Sequence, residues 1–226
     1  MGLRDLVVLL DGSARDEAKM AVALGLARRH NAHLTGLCPL ELLVPVDMSF
    51  ALGGYPELWA LPEFAQQIES QAKTKAAVIE AKFRESLRRE DVRGDWVFET
   101  GSLSYAVTHR AHMADLVVIG QVDPDNPLPE VARTMIEDVL MTAGRPLLII
   151  PYAGQFQSVG VNTLIGWTAT REAARAVHDA LAMLAPAAKV TVLTVETSRP
   201  PPDIRVLPTA DIAEHLARHG LDVSAA

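Results

Sequence analysis

Cysteine is nearly missing: Cys38 is the one example in 226 residues, so no internal disulfide can form, as expected of a reducing compartment. Cys38 stands in the apolar run Leu34 to Leu40, where a small buried hydrophobe is the expectation and a reactive thiol is not. Basic charge is also scarce. Against 28 Asp and Glu there are 21 Lys and Arg, a formal charge of -7, the wrong sign for a surface that gathers phosphates by counterion release. Nucleic acid is therefore not an expected partner. No apolar stretch reaches the roughly 20 residues that cross a bilayer, and the opening Met-Gly-Leu-Arg-Asp is unlike a secretory leader. The expected setting is the cytoplasm, with no membrane partner.

What is present is ordinary for a chain with a sizeable core: 49% hydrophobic and 22% charged residues. Domains usually hold about 100 to 200 residues, so this length suits one complete domain and part of another. Leu6 to Leu10 is a leucine- and valine-rich run without alternation, the pattern of a strand covered on both faces. It ends at Asp11-Gly12-Ser13, turn and cap chemistry, and Asp16 to His30 then repeats apolar residues at helical spacing. Further strands are predicted at Ala32 to Leu37, Asp95 to Glu99, Leu116 to Gly120 and Leu147 to Pro151. Helices are predicted over Glu63 to Arg89, Ser102 to Met113 and Glu130 to Thr142. Strands alternating with helices call for a parallel, doubly wound α/β sheet with right-handed crossovers.

Pro39 to Pro62 breaks this rhythm with Pro39, Pro45, Pro56, Pro62 and Gly53-Gly54, yet it is rich in Leu, Val, Phe, Tyr and Trp. It reads as an ordered, irregular loop that packs its apolar side chains on neighbours or acts as a lid, packing being the expectation. A repeat then emerges. Thr163 to Trp167 is again an apolar strand, Thr168-Ala169-Thr170 stands where Asp11-Gly12-Ser13 stood, and Glu172 to Val177 answers Glu17 to Val22. Lys189 to Val195 answers His33 to Leu37, Thr209 to His219 is predicted helical, and Leu221 to Val223 opens another strand. The expected boundaries are a complete domain at 1–151, a linker at 152–161 and the front half of a second copy at 162–226. A half sheet leaves its first strand, Thr163 to Trp167, with an open edge that something must cover. A longer parent chain is the favoured expectation, and a missing half supplied by another chain the alternative.

Three segments together resemble the universal stress protein family: Val7 to Ser13, Ala114 to Gly120, and Val139-Leu140 through Arg145 to Pro151. The resemblance spans the first copy, and the second copy is similar to the front half of the same domain in tandem members. It implies a five-stranded parallel sheet of order 3-2-1-4-5, adenine nucleotide alpha hydrolase-like, with homodimeric or pseudo-dimeric packing. In one subclass it implies ATP at the carboxyl ends of the strands, and the corresponding contacts are Asp11, Gly12, Ser13, Leu37, Gly120, Arg133 and Thr134. That subclass carries Gly-x-x-Gly after the fourth strand and Gly-Ser or Gly-Thr further on, because glycines let backbone amides approach phosphate oxygens.

Here Gly120 matches, but the second glycine is Asp123, with Asp125 close behind, and Pro124, Pro127 and Pro129 remove amide donors. Arg133-Thr134 replaces the later pair, keeping a hydroxyl but adding a large side chain. Arg133 can grip a phosphate or pair with Asp123, Asp125 or Glu130, and pairing is the expectation. Asp11 matches the acid that contacts the nucleoside, although an Asp-Gly turn also needs no ligand. The expectation is a degenerate nucleotide loop in a non-catalytic stress-response or regulatory protein that works by dimerisation or through an unknown protein partner. The alternative is a module for ATP or another adenine nucleotide, with weak or no hydrolysis. No catalytic residues are expected, and no metal: His109 with His112 and His215 with His219 share helix faces but lack a fixed third ligand, and His30, His33 and His178 stand alone. Trp59, Trp96 and Trp167 read as core or interface anchors.

Overall fold

A computed structural model describes residues 2–43, 62–122, 129–156, 158–194 and 209–225. The chain divides into two compact units, Gly2–Phe156 and Gln157–Ala226. The first runs β1 (Asp5–Leu9), α1 (Asp16–His30), β2 (His33–Pro39), a 3-10 turn (Leu40–Leu43), α2 (Pro62–Glu90), β3 (Gly94–Glu99), α3 (Leu103–Ala111), β4 (Leu116–Gly120), α4 (Pro129–Thr142) and β5 (Leu147–Ile150). Its five strands are all parallel, in the order β3-β2-β1-β4-β5. The expected α/β class and strand order are both present. The second unit runs β6 (Asn162–Gly166), α5 (Arg171–Ala180), β7 (Lys189–Leu193), α6 (Thr209–Arg218) and β8 (Asp222–Ala225), with a parallel sheet of order β6-β7-β8.

The strand ends differ from the sequence expectation by one or two residues, for reasons of long-range bonding. β1 starts at Asp5 because one carboxylate oxygen of Asp115 accepts the Arg4 and Asp5 N–H groups at 2.7 and 3.1 Å. β2 runs on to Pro39, which pairs with Glu99 at the end of β3, a strand terminus where the missing proline donor costs little. α3 is shorter than expected. Ser102 is its N-cap, the Oγ accepting from Tyr105 N–H at 3.3 Å, and the Glu41 carboxylate takes Leu103 N–H. α1 has Asp16 and Glu17 in its first turn and Arg28, Arg29 and His30 in its last, charges that suit the helix dipole.

Alternation along buried strands sends successive side chains to opposite faces. Val7, Leu9, Leu37, Val117 and Ile119 share one core with Leu103, Val107 and Ala111 of α3 and with Met135, Val139 and Ala143 of α4. Leu6, Val8, Leu10, Leu34, Leu116 and Val118 turn to the other face, where α1 and α2 bury Ala23, Leu24, Ala27, Ile79, Phe83 and Leu87. Gly36 in β2 makes room there for an aromatic pair: Phe83 and Trp96 lie 5.6 Å apart by ring centroids, tilted at 45°. Trp96 is thus the anchor expected of it. The second unit has a core of its own, in which Trp167, Val177, Val190, Val192 and Leu216 are buried. Trp59 and the 44–61 part of the apolar loop lie outside the described residues.

A Cβ added at Gly36 would sit 2.9 Å from both Phe83 Cε2 and Trp96 Cε3. Gly36→Ala should therefore lower unfolding free energy by about 1 to 3 kcal/mol, the range for overpacking a filled core, as read by urea denaturation.

Candidate functional site

In a doubly wound sheet, ligands bind beyond the carboxyl ends of the strands, where the strand order reverses. For the order found here that point lies between β1 and β4, which pair through Leu6–Leu116, Val7–Val117 and Val8–Val118. The turn after β1 and the end of β4 converge there. Gly12 has φ +82°, a left-handed conformation that suits glycine, and a Cβ on it would also meet Ile79 Cδ1 at 3.1 Å. This conformation folds the turn back so that its amides meet the chain's own carboxylates. Ser13 N–H donates to Asp11 Oδ1 at 3.0 Å, Gly12 N–H to Asp16 Oδ2 at 2.8 Å, and Asp11 N–H to Asp16 Oδ1 at 3.3 Å.

The cation of this cluster is Lys19, with only 3% of its surface exposed. Its Nζ lies 2.7 Å from Asp16 Oδ1 and 3.4 Å from Asp11 Oδ1. The stem of Lys19 runs over the end of β4, where a Cβ at Gly120 would sit 3.6 Å from Lys19 Cδ. A buried ammonium is tolerable only when paired and hydrogen-bonded, and two acids supply that. Their carboxyls respond in opposite directions. Burial pushes the Asp11 carboxyl up, but Lys19 and the hydrogen bonds from Asp16 and Ser13 outweigh it and hold Asp11 at about 2. At Asp16 burial dominates and Asp11 adds to it, so this carboxyl is raised in spite of Lys19. Burial, then Asp16 and Asp11, push the Cys38 thiol up to about 12, so it is the inert sulfur that its sequence context suggests.

Two side chains hold the backbone leaving β5 beside this cluster. Arg15 donates from Nη2 to the Pro151 carbonyl at 2.6 Å and from Nη1 to the Gly154 carbonyl at 3.2 Å. Gln121 accepts Tyr152 N–H at 3.0 Å through Oε1.

Of the residues proposed from sequence, Asp11, Gly12 and Ser13 form the turn itself, and Gly120 closes β4 under the Lys19 stem. Leu37 is fully buried, in the core shared with α3 and α4. Arg133 and Thr134 are exposed on the second turn of α4. Asp123, Pro124, Asp125 and Pro127 lie outside the described residues, as does the expected Arg133 partnership with either acid. Lys19 and Asp16 were missed by the sequence reading. The available signal was a lysine in the buried stripe of α1, with an acid one turn before it.

The histidines behave as side chains of ordinary helices and strands. His109 Nδ1 faces Glu99 at 3.7 Å beside the Arg110–Glu99 pair, His112 Nε2 meets the Thr142 carbonyl oxygen at 3.4 Å, and His215 and His219 pack edge to face at 4.9 Å. Among the described residues no three His, Cys, Asp or Glu side chains gather as a metal site, and no helix is long and apolar enough to cross a membrane.

No protein-family model and no curated protein matches the sequence. Among solved structures, a universal stress protein from Archaeoglobus fulgidus DSM 4304 matches over 98% of this chain and 75% of its own, with a TM-score of 0.70 and 12% identity. The universal stress protein UspA from Lactobacillus plantarum matches over 66% of this chain and 99% of its own, with a TM-score of 0.51 and 16% identity. The fold is that of the universal stress proteins, a Rossmann-like α/β sheet.

Lys19→Met strands two acids without their cation. The loss should fall near the lower end of the about 3 to 5 kcal/mol typical of a broken buried pair, because 32% of the Asp11 side chain stays in contact with water. Without Lys19 the Asp16 carboxyl, already raised by burial, loses the cation that lowers it and rises further, so the unfolded state is the more ionised and the deficit grows with pH. Urea titrations should show a larger deficit at about pH 7 than at about pH 5. In the unsubstituted protein the depressed Asp11 contributes stability that is complete above its ordinary value of 3.8 and is lost as pH falls toward about 2.

Proposed function

We propose that this chain is a non-catalytic, regulatory protein of the universal stress type that acts through dimerisation or a protein partner, in the cytoplasm, and does not hold a triphosphate at the carboxyl edge of its first sheet. One observation carries this reading: the turn after β1 is filled by its own ion cluster. Asp16 already accepts the Asp11 and Gly12 amides and the Lys19 ammonium, the groups that an incoming phosphate would need. A polyphosphate would have to displace that carboxylate and then face it, together with Asp11, across a few ångströms. Asp123 and Asp125 add two acids to the sequence of the loop after β4, in line with the same reading. In the second unit Thr168-Ala169-Thr170 replaces the acid-bearing turn, with Thr170 capping α5 by accepting Ala173 N–H at 3.2 Å.

A second reading is kept because Asp11 follows β1 and Gly120 ends β4, two adjoining parallel strands at the switch point. It is an adenine-nucleotide module that uses Asp11, Gly120, Arg133 and Thr134 and suits a nucleotide lacking the far phosphates.

Thermal denaturation with ATP, ADP and AMP, each with and without magnesium, separates the two. A triphosphate present at about 100 times its dissociation constant would add about 2.7 kcal/mol of stability, so a saturable upward shift with ATP overturns the proposal. The expected outcome is no saturable shift with ATP. A shift confined to AMP supports the second reading.

A further inference from the structure

The two helices of the second unit leave an open cleft between them. Its volume is about 550 Å³, a size usual for small-molecule sites. Trp167, just past β6, borders it together with Ala174, Val177 and His178 of α5 and with Ile212 and His215 of α6. The corresponding place in the first unit is apolar. Glu172 to Val177 answers Glu17 to Val22, and the same alignment sets Arg175, His178 and Asp179 where α1 buries Met20, Ala23 and Leu24. Of the residues of α5, Val177 is the one that is buried. The cleft is therefore written into α5 itself, which presents polar side chains to a space that its counterpart fills with apolar ones. In the first unit α3 and α4 pack on the opposite face of the sheet from α1 and α2, so the counterpart of this cleft lies between two helices and the strands beneath them.

One group at this cleft calls for an acceptor. Trp167 is 7% exposed, and its indole Nε1–H is buried without a hydrogen-bond partner. A tryptophan N–H can only donate, and a buried donor left unmatched is destabilising. Its neighbours are donors as well: the Arg175 guanidinium and the imidazoles of His178 and His215. Asp179, the acid among the lining residues, already faces Arg175, with Oδ2 3.6 Å from Nε. An excess of donors selects an oxyanion, and the planar fork of an arginine suits a carboxylate. Ala174, Val177 and Ile212 add an apolar wall and the Trp167 ring a flat one, which suits an aromatic body. We propose that the cleft between α5 and α6 binds a small aromatic carboxylate, its oxygens toward Trp167 Nε1–H and Arg175 and its ring against Val177 and Ile212. This assigns the second unit a ligand of its own. It stands apart from the nucleotide question, because an ATP shift would overturn the earlier reading and leave this site untouched.

The test titrates the full 226-residue chain with phenylacetate and follows its three indole N–H resonances in nitrogen–proton correlation spectra. The Trp167 resonance is the one that Trp167→Phe removes. Phenylacetate should shift it saturably, with a dissociation constant of about 1 mM, the affinity that a ligand of about ten heavy atoms reaches at ordinary efficiency. Phenylacetamide, which keeps the ring and loses the charge, should bind about tenfold more weakly or not at all. Inorganic phosphate, which has no apolar body, should not saturate the shift. Arg175→Gln, at a side chain that is 67% exposed, should raise the phenylacetate dissociation constant about tenfold while circular dichroism reports an unchanged fold. Arg84→Gln on α2, another exposed arginine paired within its helix, is the control and should leave the constant unchanged. Four results overturn the proposal. They are no saturable shift by phenylacetate up to about 10 mM, ten times the expected constant, equal binding of phenylacetamide, equal binding of inorganic phosphate, or a phenylacetate constant that Arg175→Gln does not change.

Discussion

The burial of one ammonium group organises the edge of the first sheet on which a ligand would have to rest. Lys19 enters from α1, crosses the end of β4 and stops between two carboxylates. A buried charge demands a full set of partners, and the chain meets that demand locally. Asp11 comes from the turn after β1 and Asp16 from the first turn of α1. Because Asp16 also takes the turn's amides, the donors that an anion would need already meet the carboxylate that neutralises Lys19. The turn is thus a closed electrostatic unit, and a guest can enter only by exchanging places with a side chain.

The same economy of space appears on the helical layers. Gly36 allows Phe83 and Trp96 to meet over the middle of β2, and Gly94 lies so close to the Leu34 backbone that a Cβ there would collide with the Leu34 carbonyl. Two small residues on neighbouring strands therefore let the long α2 settle onto the sheet, while Arg15 and Gln121 gather the backbone leaving β5 by binding its carbonyl and amide groups. Interactions far apart in sequence converge on the strand ends, and those ends are where function in this architecture is decided.

The architecture was legible because it is written in short-range patterns. Unbroken apolar runs at Leu6 to Leu10 and Leu116 to Gly120 announce strands covered on both faces, and the intervening helical periodicity imposes parallel crossovers. Exact ends were not legible, since Asp115, more than 100 residues on in the sequence, acts on the start of β1 from the foot of the neighbouring β4. The candidate site was half legible. Asp11, Gly12, Ser13 and Gly120 fall where the segment resemblance put them, but Lys19 hid inside an apolar helical stripe, where a lysine attracts no notice until its burial is measured. Leu37 was placed by analogy alone, and its side chain belongs to the core. In the second unit the strand, turn and helix that open with β6 were visible in the sequence, and the register of β6 against β7 is visible only in their pairing.

The surroundings of Cys38 also set the chemistry of its thiol. With its proton held up to about 12 by burial and by the two nearby acids, almost none of the sulfur is nucleophilic thiolate at cellular pH. Peroxides and electrophiles react with thiolate, so the burial that packs Cys38 into the core also makes its sulfur a poor target for them.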